Sequence, residues 1–216
     1  MKTLLFQGDS ITDAGRTATD NPSFVSPGYP LMGMGFGYPH LLASKICAEH
    51  PQDWTVLNRA ITGNRVVDLY ARWKLDTLNL KPDVLSILIG INDVWHEFKR
   101  QNGVEAPRYD EFYRRLLDWC LQTNPNMQFV LLEPFAFVEG EVTPEWWEDI
   151  ASRQQIVRKI AQDYKAIFVP LQNVFDEAKK RAPGNFWLAD GVHPTLPGHH
   201  LIAKAWLAAT ATLFAE

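Results

Sequence analysis

The sequence predicts an α/β fold, a three-layer sandwich in which a central, mainly parallel sheet of five strands lies between helices. Short apolar runs alternate with longer amphipathic segments along all 216 residues, which is typical of strands joined by crossover helices. The apolar runs are continuous, as expected for strands covered on both faces. We find no internal repeat, low-complexity tract or long linker, so residues 1–216 are predicted to form a single domain.

Five apolar runs are interpreted as strands: Thr3–Phe6, Thr55–Leu57, Val84–Ile89, Phe129–Leu132 and Ala166–Val169. The predicted helices between and after them are Pro39–Ala48, Val66–Asn79, Tyr109–Thr123, Glu145–Tyr164, Val174–Arg181 and Pro197–Phe214. In the third helix Phe112, Leu116 and Cys120 follow one another at intervals of four, so they would share one buried face.

Composition excludes several function classes. A hydrophobic fraction of 46% and a charged fraction of 21% fit an ordinary globular protein. The formal net charge of −4 gives no basic surface for nucleic acid. Cys47 and Cys120 are too few for a disulfide framework. The N-terminus lacks the apolar core of a signal peptide, and no run approaches the ~20 residues that span a bilayer. We therefore expect a cytoplasmic protein with no membrane or nucleic-acid partner.

Two connections are unusually apolar. Residues 20–37 combine Pro and Gly with aromatic side chains such as Tyr29 and Phe36, and residues 133–147 contain Trp146 and Trp147. Apolar loops are unfavourable on a solvent-exposed surface, so these two are expected to pack against another apolar surface. They could pack as a lid on the domain's own core or on a second subunit, or form a pocket wall. A homo-oligomer is expected on these grounds.

Two short motifs at opposite ends of the chain carry the chemistry. Ser10 follows the first predicted strand, and Asp190 and His193 lie three residues apart before the last helix. A serine, a histidine and an aspartate can form a nucleophile, its general base and the acid that orients the base. Each motif also has a structural interpretation, since the serine segment could cap a helix and the Asp–His segment could be a plain turn.

The candidate residues share one edge of the predicted sheet. Ser10, Gly63 and Asn92 follow the first, second and third strands, and open parallel sheets bind ligands at the carboxyl ends of their strands. Asp190 and His193 precede the last helix, so we expect all five residues to lie together. Gly63 alone could be a helix boundary and Asn92 a turn, but the combination indicates a hydrolase site.

Other active-site types fit poorly. No Gly-x-Ser-x-Gly elbow surrounds Ser10, so the usual α/β-hydrolase arrangement is not expected. The remaining His residues show no metal-ligand spacing, and Gly8 lacks the further glycines of a nucleotide-binding loop. We therefore expect neither a metal nor an organic cofactor.

Four segments resemble the sequence blocks of the SGNH hydrolases, also called the GDSL esterase/lipase family: Gly8–Ser10, Gly63, Gly90–Asp93 and Asp190–His193. The resemblance runs from residue 4 to the last helix and implies the flavodoxin-like form of the sandwich. Within the family, Gly90–Trp95 and Ala71–Trp73 are most similar to the carbohydrate acetyl esterases, including the acetylxylan esterases.

The resemblance implies a role for each matching residue. Ser10 would be the nucleophile, His193 its general base and Asp190 the orienting acid. The oxyanion hole would consist of the backbone N–H groups of Ser10 and Gly63 and the side-chain amide of Asn92.

The residues that would contact substrate are less constrained by the sequence. The candidates are Asp9, Trp95, Trp187 and Tyr29, with Phe36, Trp146 and Trp147 as residues that could close the site. Trp95 could equally pack in the core. The resemblance implies that the substrates are short acyl esters, chiefly acetyl, on carbohydrates such as acetylated xylo-oligosaccharides. A general short-chain carboxylesterase or thioesterase-like acylhydrolase, and a non-catalytic carbohydrate-binding protein on the same fold, are the alternatives.

Overall fold

The computed structural model describes residues 1–17 and 33–214, and a five-stranded sheet lies at the centre of this part of the chain. Its strands are β1 (Lys2–Gly8), β2 (Trp54–Asn58), β3 (Val84–Leu88), β4 (Gln128–Leu132) and β5 (Ile167–Val169). All neighbours pair in parallel, in the order β2-β1-β3-β4-β5. This is the flavodoxin-like order, so the predicted α/β fold class is confirmed.

The helices described are, in chain order, α1 (Ser10–Asp13), α2 (Tyr38–Glu49), α3 (Val66–Asp76), α4 (Ile91–Arg100), α5 (Ala106–Thr123), α6 (Trp147–Asp163), α7 (Gln172–Lys179), α8 (Gly184–Trp187) and α9 (Leu196–Ala209). Short 3₁₀ turns extend several of them, as at Leu78–Leu80 after α3 and Pro144–Trp146 before α6. None of these helices is long and apolar enough to cross a bilayer.

The sheet separates two hydrophobic cores. Leu4 and Phe6 of β1 pack with α2, α7 and α9 on one face, and Leu5 packs with α3, α5 and α6 on the other. Successive strand residues point to opposite faces, so a strand covered on both sides needs apolar residues at consecutive positions. That requirement explains the unbroken apolar run in the sequence.

Helix α4 is the main element that the sequence analysis does not predict. Gly90, Asn92 and Asp93 are typical turn residues, so the segment resembles the end of a strand. Ile91, Val94, Trp95 and Phe98 nevertheless follow helical spacing: the first two are buried, and the rings of the other two lie 5.3 and 5.4 Å from that of Trp146. The turn residues at its start conceal this apolar stripe in the sequence.

Candidate active site

The nucleophile candidate lies in a tight turn at the end of β1. Asp9 is the N-cap of α1, and its Oδ1 accepts a hydrogen bond from the N–H of Ile11 at 3.0 Å. Ser10 is therefore the first residue of a short helix. The turn runs so close to β3 that a Cβ on Gly8 would overlap the carbonyl oxygen of Leu88 and lie 2.6 Å from Oγ1 of Thr12. Glycine at position 8 allows that approach.

The serine, the histidine and the aspartate form one hydrogen-bonded chain. Oγ of Ser10 lies 2.9 Å from Nε2 of His193, and Nδ1 of the same ring lies 2.6 Å from Oδ2 of Asp190. The contact between Ser10 and His193 joins residues 183 positions apart in the sequence. The expectation that the two ends of the chain meet at this edge is confirmed.

A narrow hairpin, residues 188–194, presents the acid and the base; we call it the Asp–His hairpin. Leu188 and Pro194 form an antiparallel bridge, and the N–H of Ala189 donates to the carbonyl of His193 at 2.8 Å. Oδ1 of Asp190 accepts the backbone N–H groups of Val192 and His193 at 3.0 and 2.8 Å. The two carboxylate oxygens therefore have different partners.

These partners decide the charge of Asp190. Partial burial by itself would raise the pKa of this carboxyl. The hydrogen bonds from the backbone and ring of His193 and from Val192 outweigh burial, so the pKa lies below its ordinary value. Asp190 is accordingly ionised near neutral pH and can stabilise a protonated imidazole.

Residues 137–141, which we call the brace segment, hold the Asp–His hairpin through backbone hydrogen bonds. The N–H of Phe137 donates to the carbonyl of Gly191 at 2.8 Å, and that of Glu141 donates to the carbonyl of Asp190 at 2.9 Å. Gly140 has φ of +61°, and a Cβ there would lie 2.5 Å from the carbonyl oxygen of Asp190. This supporting role was not predicted from the sequence. The apolar loop 133–147 packs on the protein's own core here, with Phe137 buried.

A second loop, residues 61–65, approaches from β2; we call it the Gly63 loop. Asp13 at the end of α1 accepts both the N–H and the hydroxyl of Thr62 through Oδ2, each at 2.8 Å. Gly63 has φ of +81°, and a Cβ would meet no atom within 4 Å. In the described part of the chain, the N–H groups of Ser10 and Gly63 have no hydrogen-bond acceptor. Both donors are available to a ligand.

The side-chain amide of Asn92 links helix α4 to the Gly63 loop. Its Nδ2 donates to the carbonyl of Asn64 at 3.2 Å. An amide nitrogen carries two hydrogens, so the second remains for another acceptor. Arg72 fixes the side chain of Asn64 from the other side, with Nε donating to Oδ1 at 2.7 Å.

The structure corrects the prediction that Asp9 contacts substrate. The residue is 1% exposed, and its side chain caps α1. Burial raises the pKa of its carboxyl to about 7, although the hydrogen bond from Ile11 and the nearby His193 act in the opposite direction. Oδ2 has no partner among the described residues. Asp9 therefore caps the short helix that Ser10 begins.

The aromatic candidates have different positions. The ring of Trp95 lies 5.8 Å from that of His193, in an edge-to-face arrangement, and 5.3 Å from that of Trp146. Trp95 is half-buried and thus both packs on the core and borders the imidazole. Trp187 is 7% exposed and stacks under Arg181, which makes it a core residue rather than a substrate platform. Tyr29 lies outside the described residues.

The three remaining aromatic candidates for closing the site differ in solvent exposure. Phe36 is 73% and Trp147 38% exposed, whereas Trp146 is buried. Within residues 1–17 and 33–214, no group of three His, Cys, Asp or Glu residues could hold a metal ion.

Comparison with known proteins finds similar esterases. The family model described as GDSL-like lipase/acylhydrolase matches residues 6–201. An acetylxylan esterase of Geobacillus stearothermophilus is 34% identical over 207 residues, which cover 94% of this chain and 91% of that protein. A multidomain esterase of Ruminococcus flavefaciens is 29% identical over 134 residues, 58% of this chain and 15% of that protein.

Solved structures show the same similarity. The crystal structure of Axe2, an acetylxylan esterase of G. stearothermophilus, has a TM-score of 0.80 at 32% identity and covers 96% of this chain and 93% of its own. LAE5, an α/β hydrolase from the metagenome of Lake Arreo, has a TM-score of 0.84 at 32% identity, with coverages of 99% and 97%. The family match spans nearly all of the chain, and the alternative of a non-catalytic binding protein is not supported. The chain belongs to the GDSL-like lipase/acylhydrolase family and is a carboxylic-ester hydrolase.

Proposed function

We propose that this protein removes short acyl groups, chiefly acetyl, from carbohydrate hydroxyls such as those of acetylated xylo-oligosaccharides, through an acyl-Ser10 intermediate. The observation that carries the proposal is the hydrogen-bonded chain of Ser10, His193 and Asp190 beside free backbone donors. Its parts match the requirements of acyl transfer: an activated nucleophile, an oriented base and stabilisation of an oxyanion.

Acylation begins with the serine hydroxyl. Oγ of Ser10 attacks the ester carbonyl carbon while Nε2 of His193, 2.9 Å away, takes the hydroxyl proton. Asp190 holds the ring so that Nδ1 carries its hydrogen toward the carboxylate and Nε2 is free to accept. The imidazolium that forms lies against an ionised carboxylate, which stabilises it.

The carbonyl oxygen becomes negatively charged as the tetrahedral intermediate forms. The N–H groups of Ser10 and Gly63 and the second hydrogen of the Asn92 amide are the donors for this oxygen. Each is fixed by local structure before substrate arrives, so little reorganisation is needed during the reaction.

Collapse of the intermediate breaks the ester C–O bond. His193 returns its proton to the departing sugar oxygen, and the alcohol leaves. Water then attacks the acyl-serine carbonyl with His193 again as base, releasing the carboxylic acid and restoring the serine hydroxyl. Every proton moves through Nε2, and no other acid or base is required.

The preference for acetylated carbohydrate rests on similarity. The acetylxylan esterase and Axe2 cover most of this chain at 32–34% identity. The half-buried Trp95 beside His193 offers an aromatic edge near the reacting centre.

A panel of esters tests this preference. Acetate release from acetylated xylo-oligosaccharides would be compared with hydrolysis of nitrophenyl esters of two to eight acyl carbons, with kcat/KM as the measure. We expect the acetylated sugars to be preferred and activity to fall as the acyl chain lengthens. Equal or rising activity toward longer chains, or on thioesters, would instead favour the general acylhydrolase.

A further inference from the structure

Asp93 is a fully buried carboxylate next to the Asn92 amide. Asp93 is 0% exposed, in the first turn of α4. Its Oδ1 and Oδ2 both accept the N–H of Val66, at 3.1 and 3.3 Å. Val66 is the first residue of α3 and follows the Gly63 loop directly.

Two adjacent residues of α4 therefore contact the chain where the Gly63 loop joins α3. Asn92 binds the carbonyl of Asn64, and Asp93 binds the N–H of Val66. Only Arg65 lies between these points. These contacts join α4 to the chain two to three residues after Gly63, in addition to the contact of Asp13 with Thr62.

We propose that Asp93 is a positioning residue of the esterase reaction: by accepting the Val66 N–H, it fixes the Gly63 N–H where it can serve the oxyanion together with Asn92. The proposal rests on the proposed function, which assigns both donors to the oxyanion hole. Asp93 itself touches neither the substrate nor the reacting atoms.

Asp93 accepts a backbone N–H that α3 itself leaves unpaired, because Val66 is the first residue of that helix. The capping contact within α3 is a different one, in which the N–H of Arg65 donates to Oδ2 of Asp68 at 2.8 Å. The Asp93 bond instead joins α3 to α4. Burying a charge is unfavourable unless it is well paired, so a contact that served only the local turn could be made by a neutral side chain.

The electrostatic surroundings of Asp93 are mixed. Burial dominates and raises its pKa to about 7, Arg153 of α6 lowers the pKa, and Asp9 raises it. Arg153 also donates to the carbonyl of Val104 at 2.6 Å, while the N–H of Val104 donates to the carbonyl of Asp93 at 3.0 Å. The backbone and the side chain of Asp93 are thus both held.

The most direct test removes the Val66 N–H and leaves Asp93 in place. Val66→Pro deletes the N–H that Asp93 accepts. Proline is favoured at the first position of a helix, and Arg65 before it already has the extended backbone (φ −98°, ψ 174°) that a residue preceding proline adopts. Val66→Ala is the matched control, because it reduces the same buried side chain and keeps the N–H.

We expect Val66→Pro to lower kcat by about 10- to 100-fold with KM changed by less than about threefold, since misplacing an oxyanion donor damages the transition state more than substrate binding. Val66→Ala should stay within about threefold of the parent kcat. Equal kcat values for the two variants, or a loss confined to KM, would overturn the proposal.

A double-mutant cycle with Asp93→Ala shows whether the acid acts through this bond. If it does, the double variant loses no more kcat than the worse single variant. Losses that multiply would overturn the proposal. Thermal unfolding shows whether Asp93→Ala is folded. If it is not, the two Val66 variants decide the question alone.

A further control separates this proposal from the proposed function. Asn92→Ala should lose kcat whatever Asp93 does. If Asn92→Ala loses kcat while Val66→Pro behaves as Val66→Ala does, the oxyanion hole stands and the positioning role of Asp93 fails. If Asn92→Ala keeps full kcat, the proposed oxyanion hole itself fails.

Discussion

The Asp–His hairpin and the Gly63 loop lie at the same edge of the sheet but are fixed by different means. The hairpin is held mainly by backbone contacts with the brace segment, where Gly140 packs directly against Asp190. The Gly63 loop is held mainly by side chains, among them those of Asp13, Arg72 and Asn92. Added bulk in the brace segment should therefore impair the Asp–His hairpin. Removal of polar side chains should impair the Gly63 loop.

The largest expected effect comes from the acid of the hairpin. Asp190→Asn should lower kcat by about 10⁴-fold, because the amide favours the wrong histidine tautomer at Nδ1. The Asn oxygen can still accept the N–H groups of Val192 and His193, so the variant should fold. Steady-state kinetics together with a melting curve would measure this, and a loss below tenfold would remove Asp190 from its proposed role.

A methyl group in the brace segment tests the steric half of the comparison. Gly140→Ala should push the carbonyl of Asp190 away and lower kcat by roughly 100-fold, the effect of about 1 Å of misplacement. Gly15→Ala is the matched control, since Gly15 also has positive φ (+75°) but its Cβ would lie an ordinary 3.5 Å from Phe36. If both variants lose the same activity, backbone strain and not contact with the hairpin is responsible.

Removal of the Asn92 amide tests whether the Gly63 loop site depends on polar groups. Asn92→Ala should reduce kcat by about 100-fold, equivalent to ~3 kcal/mol of transition-state stabilisation, and leave KM nearly unchanged. Initial rates over a range of acetyl-ester concentrations would separate the two parameters. A rise in KM as large as the fall in kcat would mean that the asparagine only maintains the shape of the loop.

The smallest effect concerns Asp9, the buried N-cap of the helix that Ser10 begins. Its pKa is raised to about 7 in the folded protein, so between pH 4 and 7 the folded state holds a proton that the unfolded state has lost. Stability from this group therefore decreases as pH rises through that window. Asp9→Asn keeps the cap oxygen and removes the titration.

The melting temperature of Asp9→Asn should exceed that of the parent by a few degrees at pH 8, with the difference shrinking toward pH 4. Burial lowers the pKa of His199 to about 4. This residue titrates in both proteins, so its effect on the melting temperature should largely cancel in the difference. A difference that does not vary with pH would show that Asp9 is ionised throughout.

The two regions also differ in what the sequence could reveal. Ser10, Asp190 and His193 were found because a nucleophile, an acid and a base are chemically distinctive residues. Strand bounds were predicted within two residues because continuous apolar runs directly reflect burial on both faces. These inferences depend on residue type and local order alone.

The supports of the site were not predicted, for a physical reason. Phe137 and Glu141 act through backbone groups that every residue possesses, and Gly140 resembles any turn glycine. Asp13 and Arg72 resemble ordinary surface charges until the fold brings them to the Gly63 loop. Contacts made by backbone atoms, or across long sequence separations, leave no local pattern.

Covalent labelling of Ser10 tests the central claim most directly. A fluorophosphonate would be incubated with the parent protein, Ser10→Ala and Asp190→Asn, and adducts followed by intact mass. We predict one adduct per parent chain, mapped to Ser10, none on Ser10→Ala, and labelling of Asp190→Asn slowed by orders of magnitude. Undiminished labelling of Ser10→Ala, or an adduct at another residue, would contradict the account.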